Sequence, residues 1–348
     1  MSSLLDLPPY GQRNEKQFLA EINGLTRHHY AGCPEYRNIF PKLRDAENVR
    51  DIPFIHAGVF KDLALKTYSN EIVHQRTLTS SATSSGISSR IALDSLSSLL
   101  QSRSVVSILS NFIGASKRPL LVLDSALALR QRGQVSAALA AALSLQPLAS
   151  RVAFLLKESH NIASMNWELL AEVIPDEDEV IIYGFTSILW LAWSEADFPP
   201  AIVHALRNRR IRFVHSGGWK KLEQIKVDEE KFKTALLKTA GPGSTVTDYY
   251  GLVEQVGIVY PLCEYGFRHV PVWADVLVRD PYTLEALESK TGLLQLLNVL
   301  AHGAPYHSVL TEDMGITIPG ACPCGREGKK FRLEGRLPKA EIRGCANV

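Results

Sequence analysis

The chain has 348 residues, 46% of them apolar and 21% charged, a composition that supports a sizeable core and excludes intrinsic disorder. Its 38 basic and 36 acidic residues are interleaved and leave a formal charge of only +2, so neither nucleic acid nor an anionic membrane is an expected partner. Length favours one large domain with an appended lobe, or two domains, over a single core.

The opening MSSLLDLPPYGQRNEKQF has neither the basic start nor the apolar run of a signal peptide. With five cysteines, an odd number, the thiols are expected to be reduced in a cytoplasm rather than paired as a disulfide frame. NEKQFLAEINGLTRHHY reads as an amphipathic helix within a helical N-terminal segment, residues 1–52. DSLSSLLQSRSVVSILSNF (94–112) reads as a helix capped by Asp94. The apolar runs RPLLVLD (118–124), RVAFLLK (151–157), DEVIIYG (178–184) and IRFVHS (211–216) then alternate with helical stretches such as GQVSAALAAALS and PAIVHALRNRR. That rhythm predicts an α/β core over 53–250, with helices packed on a largely parallel sheet. IIYGFTSILWLAW (181–193) is too short to span a bilayer, which takes about 20 helical residues, and reads as core. After residue 250 the pattern turns to strands, VGIVYPL, ADVLVRD, GLLQLLNVLA and KKFRLEGR, predicting a smaller β-rich subdomain over 251–335. Residues 336–348 form a tail expected to be mobile, with a thiol, Cys345, beside Arg343.

Several loops carry chemistry. In TSSATSSGISSR (79–90) hydroxyls surround Gly86; the loop suits either an anion or a solvated linker, and it lacks the lysine of a P-loop. HSGGWKK (215–221) follows an apolar strand, where α/β sheets place their ligand loops. DYYGLVEQ (248–255) sets an aromatic, a glycine and a carboxylate within five positions. Tyr250 could stack on a base and Glu254 reach a magnesium on phosphate oxygens, or both could be plain surface groups. LTEDMG (310–315) puts Asp313 at an expected turn, suited to ribose hydroxyls or to the turn itself. CPCG (322–325) supplies Cys322 and Cys324, and CEYGFRH supplies Cys263 and His269; three thiolates and an imidazole suit a closed zinc site, or the thiols are simply buried.

Read in order, TSSATSSG, HSGGWKKL, DYYGLVEQVG, TEDMG and GRLPKAEIRGC resemble the motifs of the adenylate-forming ligases. The LuxE-type long-chain acyl-protein synthetases are the nearest likeness and the PaaK-type phenylacetate-CoA ligases the next, from about Pro53 to the end; the first fifty residues contribute little. The resemblance implies the large domain of that superfamily with its small C-terminal lobe absent. It also implies activation of a carboxylic acid, in the LuxE type a fatty acid, by ATP to an acyl-adenylate, followed by transfer to a thiol. Ser80, Ser81, Thr83, Ser84 and Gly86 would hold the phosphates. Gly217, Gly218, Tyr250 and Gly251 would frame the adenine, Glu254 would bind magnesium, Asp313 the ribose, and Arg336 would close on the nucleotide. Related ligases can bind zinc through such a Cys-x-Cys-Gly turn with an upstream Cys and His. Cys345 stands where LuxE-type enzymes carry the thiol that receives the acyl group, for hand-over to a partner such as a reductase, transferase or carrier protein. Two departures are visible: Ala82 replaces a loop glycine, and Val253 stands where threonine is usual. An external thiol such as coenzyme A, or a scaffold that keeps the fold without catalysis, are the alternatives.

Overall fold

The computed structural model describes residues 3–79, 88–127, 134–159, 161–174, 178–194, 198–255 and 257–337. These divide into two compact units, Met1–Ser104 with Leu252–Val348, and Val105–Gly251.

In the first unit Asn14 starts helix α1 (Glu15–Gly32) by accepting the Gln17 N–H at 3.1 Å, which satisfies one of the orphan donors of the first turn. Phe18, Ile22, Leu25 and His29 recur on one face and are buried there. Helix α2 (Pro34–Ile39) begins on a proline, followed by strand β1 (Ile55–His56) and helix α3 (Val59–Asp62). Strands β2 (His74–Thr79) and β3 (Arg90–Asp94) pair antiparallel. Asp94 caps α4 (Ser95–Ile113) as expected, its Oδ2 accepting the Ser97 N–H at 3.1 Å.

The second unit alternates as its apolar runs predict. Its elements are β4 (Arg118–Ser125), β5 (Gln134–Ser136), α5 (Ala137–Ser144), β6 (Ala149–Leu156), α6 (Trp167–Val173), β7 (Glu179–Phe185), α7 (Thr186–Ser194), α8 (Pro200–Arg207), β8 (Arg210–Ser216), α9 (Glu229–Leu237) and β9 (Thr245–Tyr250). One correction concerns GQVSAALAAALS: Val135 and Ser136, weak helix formers, lie in β5, and the helix begins at the alanine run. β9, β8, β7, β4 and β6 lie side by side in that order, all parallel, with Ile182 opposite Phe213. Leu121, Leu123, Val180, Ile182, Ile211 and Phe213 from these strands meet Leu189, Trp190 and Trp193 of α7 and Phe232 and Leu236 of α9 in one buried cluster. Each such side chain contributes about 1.5–3 kcal/mol by leaving water. The run at 181–193 is therefore core, and among the described residues no helix is long and apolar enough to cross a membrane.

The chain returns to the first unit with β10 (Tyr260–Pro261), β11 (Arg268–His269), β12 (Ala274–Arg279), β13 (Ala286–Leu287), β14 (Gly292–Asn298), β15 (Ser308–Ile318) and β16 (Lys330–Arg336). The strands from β11 onward form an antiparallel sheet in the order β11-β16-β15-β14-β12-β13, with β1 added parallel to β15. All seven residues of β14 are buried, including two polar ones whose amides donate within the core, Gln295 to Ser308 Oγ at 2.9 Å and Asn298 to Gln255 Oε1 at 3.1 Å. Two expectations are corrected. VGIVYPL yields only the two-residue β10, and LTEDMG lies inside β15 rather than at a turn. Gly315 is there for close approach: a Cβ would stand 2.6 Å from the Arg332 carbonyl oxygen, and the ladder shifts register beside it.

Candidate active site and metal centre

In the second unit β8 ends in His215 and Ser216 and hands over to Gly217 and Gly218, at φ +83° and +62°. Two consecutive residues in this left-handed region require glycine and turn the chain sharply off the carboxyl end of a parallel strand. A hydroxyl network holds that strand end. Thr186 Oγ1 donates to the Ser216 carbonyl at 3.1 Å and lies 3.0 Å from His215 Nδ1, while Asp248 is 3.6 Å from the same nitrogen. Tyr183 Oη lies 3.4 Å from Ser216 Oγ and 3.3 Å from Tyr249 Oη. Burial pushes both phenols up, Tyr183 well above its ordinary range, so they stay protonated and serve as hydrogen-bonding groups. Tyr250 closes β9, half-buried, and exposed Gly251 follows it.

In the first unit Glu254 sits in a single 3-10 turn, Val253–Gln255, and is 7% exposed. The turn is fixed by its neighbour. Gln255 donates to the carbonyls of Leu296 at 3.2 Å and Tyr306 at 2.9 Å and accepts from Asn298 at 3.1 Å. Burial raises the Glu254 carboxyl above its ordinary range; the Ser89 hydroxyl and Lys61 offset this in part, and the nearby charge of Asp313 adds to it. Burial is thus the main reason this carboxyl resists ionisation. Asp313 faces Arg336 across the β15–β16 pair, with Nε donating to Oδ1 at 3.0 Å. Because Arg336 is well exposed, this ion pair contributes no more than about 1 kcal/mol. Ser80, Ser81, Thr83, Ser84, Gly86 and Cys345 lie outside the described residues.

The cysteine motifs converge. Cys263-Glu-Tyr-Gly266 and Cys322-Pro-Cys-Gly325 are each a turn whose closing glycine N–H donates to the first cysteine's carbonyl, at 2.9 and 3.0 Å. Together they bring Cys263, Cys322, Cys324 and His269 so close that one ligand atom from each lies within 4.8 Å of all the others. Cys263 Sγ is 3.9 Å from Cys322 Sγ, and Cys324 Sγ is 3.2 Å from His269 Nε2. Tetrahedral zinc with Zn–S bonds of about 2.3 Å sets sulfurs about 3.8 Å apart, so donor identity and spacing both fit that ion. Burial, with Arg326 and Lys330 nearby, brings His269 down to about 4, which keeps the imidazole neutral as a ligand must be.

Sequence reasoning passed over the groups around these residues. Tyr10 lays its ring edge-on to His269 at 5.8 Å, and Arg326 stands over Tyr10 at 6.0 Å. The Pro9 carbonyl accepts from Val272 at 2.9 Å, so the N-terminal segment covers the imidazole. Arg326 follows Cys324 by two positions and His215 opens HSGG, so their nearness was visible in the sequence. Ser89 lies in the hydroxyl-rich loop 79–90, whereas nothing in spacing flagged Lys61 or Lys330.

Comparison with known proteins supplies the family. The acyl-protein synthetase family LuxE matches residues 8–348. The chain belongs to that family. A long-chain-fatty-acid–luciferin-component ligase of Vibrio harveyi is 25% identical over 348 residues, covering 96% of this chain and 88% of that protein. The Aliivibrio fischeri protein of the same description is 26% identical over 140 residues, covering 39% of this chain and 36% of that protein. Among solved structures, a 2-hydroxyisobutyryl-CoA ligase in an open conformation with 2-HIB-AMP and CoA aligns over 93% of this chain and 70% of its own. The TM-score is 0.60 at 13% identity, a likeness of fold. The same ligase in its postadenylation state gives 0.59 at 14%. As a LuxE-family acyl-protein synthetase, the protein is an acid–thiol ligase, and its fold is that of the 2-hydroxyisobutyryl-CoA ligase.

Proposed function

We propose that this enzyme activates a fatty acid with magnesium-ATP and passes the acyl group to a thiol of its own tail, Cys345, for delivery to a partner enzyme. The observation that carries the reading is the family match over residues 8–348; the long-chain fatty acid in the names of both relatives supports the choice of acid. In the first step the carboxylate oxygen attacks the α-phosphorus of ATP, the bond to the β-phosphate oxygen breaks, and acyl-adenylate and pyrophosphate form. In the second the Cys345 thiolate attacks the acyl carbon and AMP leaves, its phosphate taking the bridging electron pair.

The roles of the residues are proposed accordingly. Backbone N–H groups of the Gly217-Gly218 turn and the ring of Tyr250 would frame the adenine, and Asp313 would accept from the ribose hydroxyls. Ser80, Ser81, Thr83 and Ser84 would donate to phosphate oxygens. Glu254 is the candidate ligand for magnesium, and its position beside a second carboxylate, Asp313, supports this. The bound ion would offset charge gathering on the α-phosphate. Arg336, exposed and lightly held by Asp313, is suited to move onto the nucleotide. Cys263, His269, Cys322 and Cys324 would hold a structural zinc with all four positions filled by protein, so the ion would fasten two turns and take no part in acyl transfer.

Intact-mass measurement after incubation with magnesium-ATP and a panel of fatty and aromatic acids tests this. The expected result is one acyl adduct, chosen from the fatty acids, removed by hydroxylamine and absent from Cys345→Ser. AMP formation that requires coenzyme A and persists in Cys345→Ser would reassign the acceptor. Adducts with the aromatic acids alone would reassign the acid.

A further inference from the structure

Lys330 is among the largest fully buried side chains of the protein, only 2% exposed. Its neighbour Lys329 is paired with the buried carboxylate of Asp275, whereas among the described residues no carboxylate pairs with Lys330. Its Nζ donates to the carbonyls of Pro319, at 3.1 Å, and Gly320, and lies 5.4 Å from the centre of the Phe267 ring. Two carbonyls accept from the ammonium and a π face lies near it. They leave the net charge unanswered, and an isolated buried ammonium is among the most expensive groups a fold can contain.

The position of this charge explains it. Lys330 stands directly opposite His269 in the β11–β16 pair. Gly320, whose carbonyl it holds, lies two residues before Cys322. Phe267, whose ring it faces, lies two residues before His269 and accepts the Cys263 N–H on its carbonyl. The ammonium therefore holds the segment that leads into one cysteine turn and lies near the residue that follows the other. When three thiols and a neutral imidazole take up Zn2+, three protons leave and the centre carries a net charge of −1. Arg326, whose charge acts on Cys324, also faces Glu264 at 3.7 Å; Lys330 differs from it in being fully buried and, among the described residues, in having no carboxylate partner.

We propose that Lys330 is the built-in counter-charge of the Cys263–His269–Cys322–Cys324 centre: the fold buries a cation there because the metal-thiolate centre is an anion. This rests on the zinc reading above. It makes Lys330 a positioning residue that tightens metal binding, and it makes metal loss costlier to the fold than the lost bonds alone.

The test measures zinc content and chelator-competition affinity on the full chain, for wild type, K330R, K330Q and K330M, with circular dichroism to confirm folding. Wild type and K330R are expected to hold one zinc with similar affinity. K330Q keeps a donor for the two carbonyls but no charge and is expected to bind 10–100-fold more weakly, like K330M. Stripping the metal should lower the melting temperature of wild type by more than that of K330M. K330Q with wild-type affinity would overturn the proposal, as would K330R falling as far as K330Q, since that would assign the effect to packing. If K330M does not fold, K330Q decides. A zinc-free wild type would overturn the zinc reading itself, a distinguishable failure.

Discussion

At the scale of single residues, Glu254 and the cysteine cluster show what a sequence can and cannot disclose. Glu254 is buried with its carboxyl raised above the ordinary value of 4.5. Below that value the folded and unfolded chains both carry the proton and the site costs nothing; as pH rises, the unfolded chain ionises first and stability is lost through the raised folded value. Glu254→Gln is therefore expected to be more stable than wild type at pH 7. It should melt like wild type near pH 4 and lose adenylation at least about 100-fold. Thermal melts at the two pH values and an activity assay check this, and a variant less stable at pH 7 would contradict it. The thiols and imidazole were legible as residue types that suit zinc. Lys330 was not, because nothing in a Lys-Lys pair says that one lysine faces Asp275 and the other a closed interior.

At the scale of elements, glycines decided where reading succeeded. HSGGWKK was read as a loop beyond the end of an apolar strand, and β8 does end at Ser216, just before Gly217-Gly218. Gly217→Ala meets both a left-handed backbone and Phe185 Cδ1 at 3.1 Å, and is expected to cost about 1–3 kcal/mol; Gly218→Ala, with open space around its Cβ, should cost less in the same denaturant titration. Gly315 misled, since a glycine serves a close strand crossing as well as a turn and the sequence does not say which. Helix α1 carries a further consequence that burial alone reveals. His29 and His307 lie ring to ring at 4.8 Å, both fully buried. His29 bonds Thr67 and the Ala301 carbonyl, His307 meets Thr26, and Tyr36, His28 and His302 complete the surroundings, with Asp94 beside His302. Burial lowers His29, brings His302 down to about 4 and His307 to about 3. Above 6.5 these imidazoles are neutral in both states; as pH falls the unfolded chain takes up protons that the folded one resists, so stability declines from 6.5 toward 3. His307→Asn is expected to flatten that decline in melts taken from pH 7 to 5, and an unchanged slope would contradict this.

At the scale of the whole molecule, the alternation of apolar runs with helices over 118–250 disclosed the parallel sheet, and the ordered motifs disclosed the family. Both signals are local in the chain, which is why they were legible. Side-chain convergence is not local: the two cysteine turns are separated by more than fifty residues, and their meeting depends on β11 pairing with β16. On the proposed function the protein forms an acyl-adenylate, with Glu254 essential to the step. Acid-dependent exchange of pyrophosphate into ATP by the full chain with magnesium tests it most directly. Exchange that appears with long-chain fatty acids and is lost in a folded Glu254→Gln variant is the predicted result. No exchange with any acid from folded wild-type protein, or exchange that Glu254→Gln leaves intact, would contradict it.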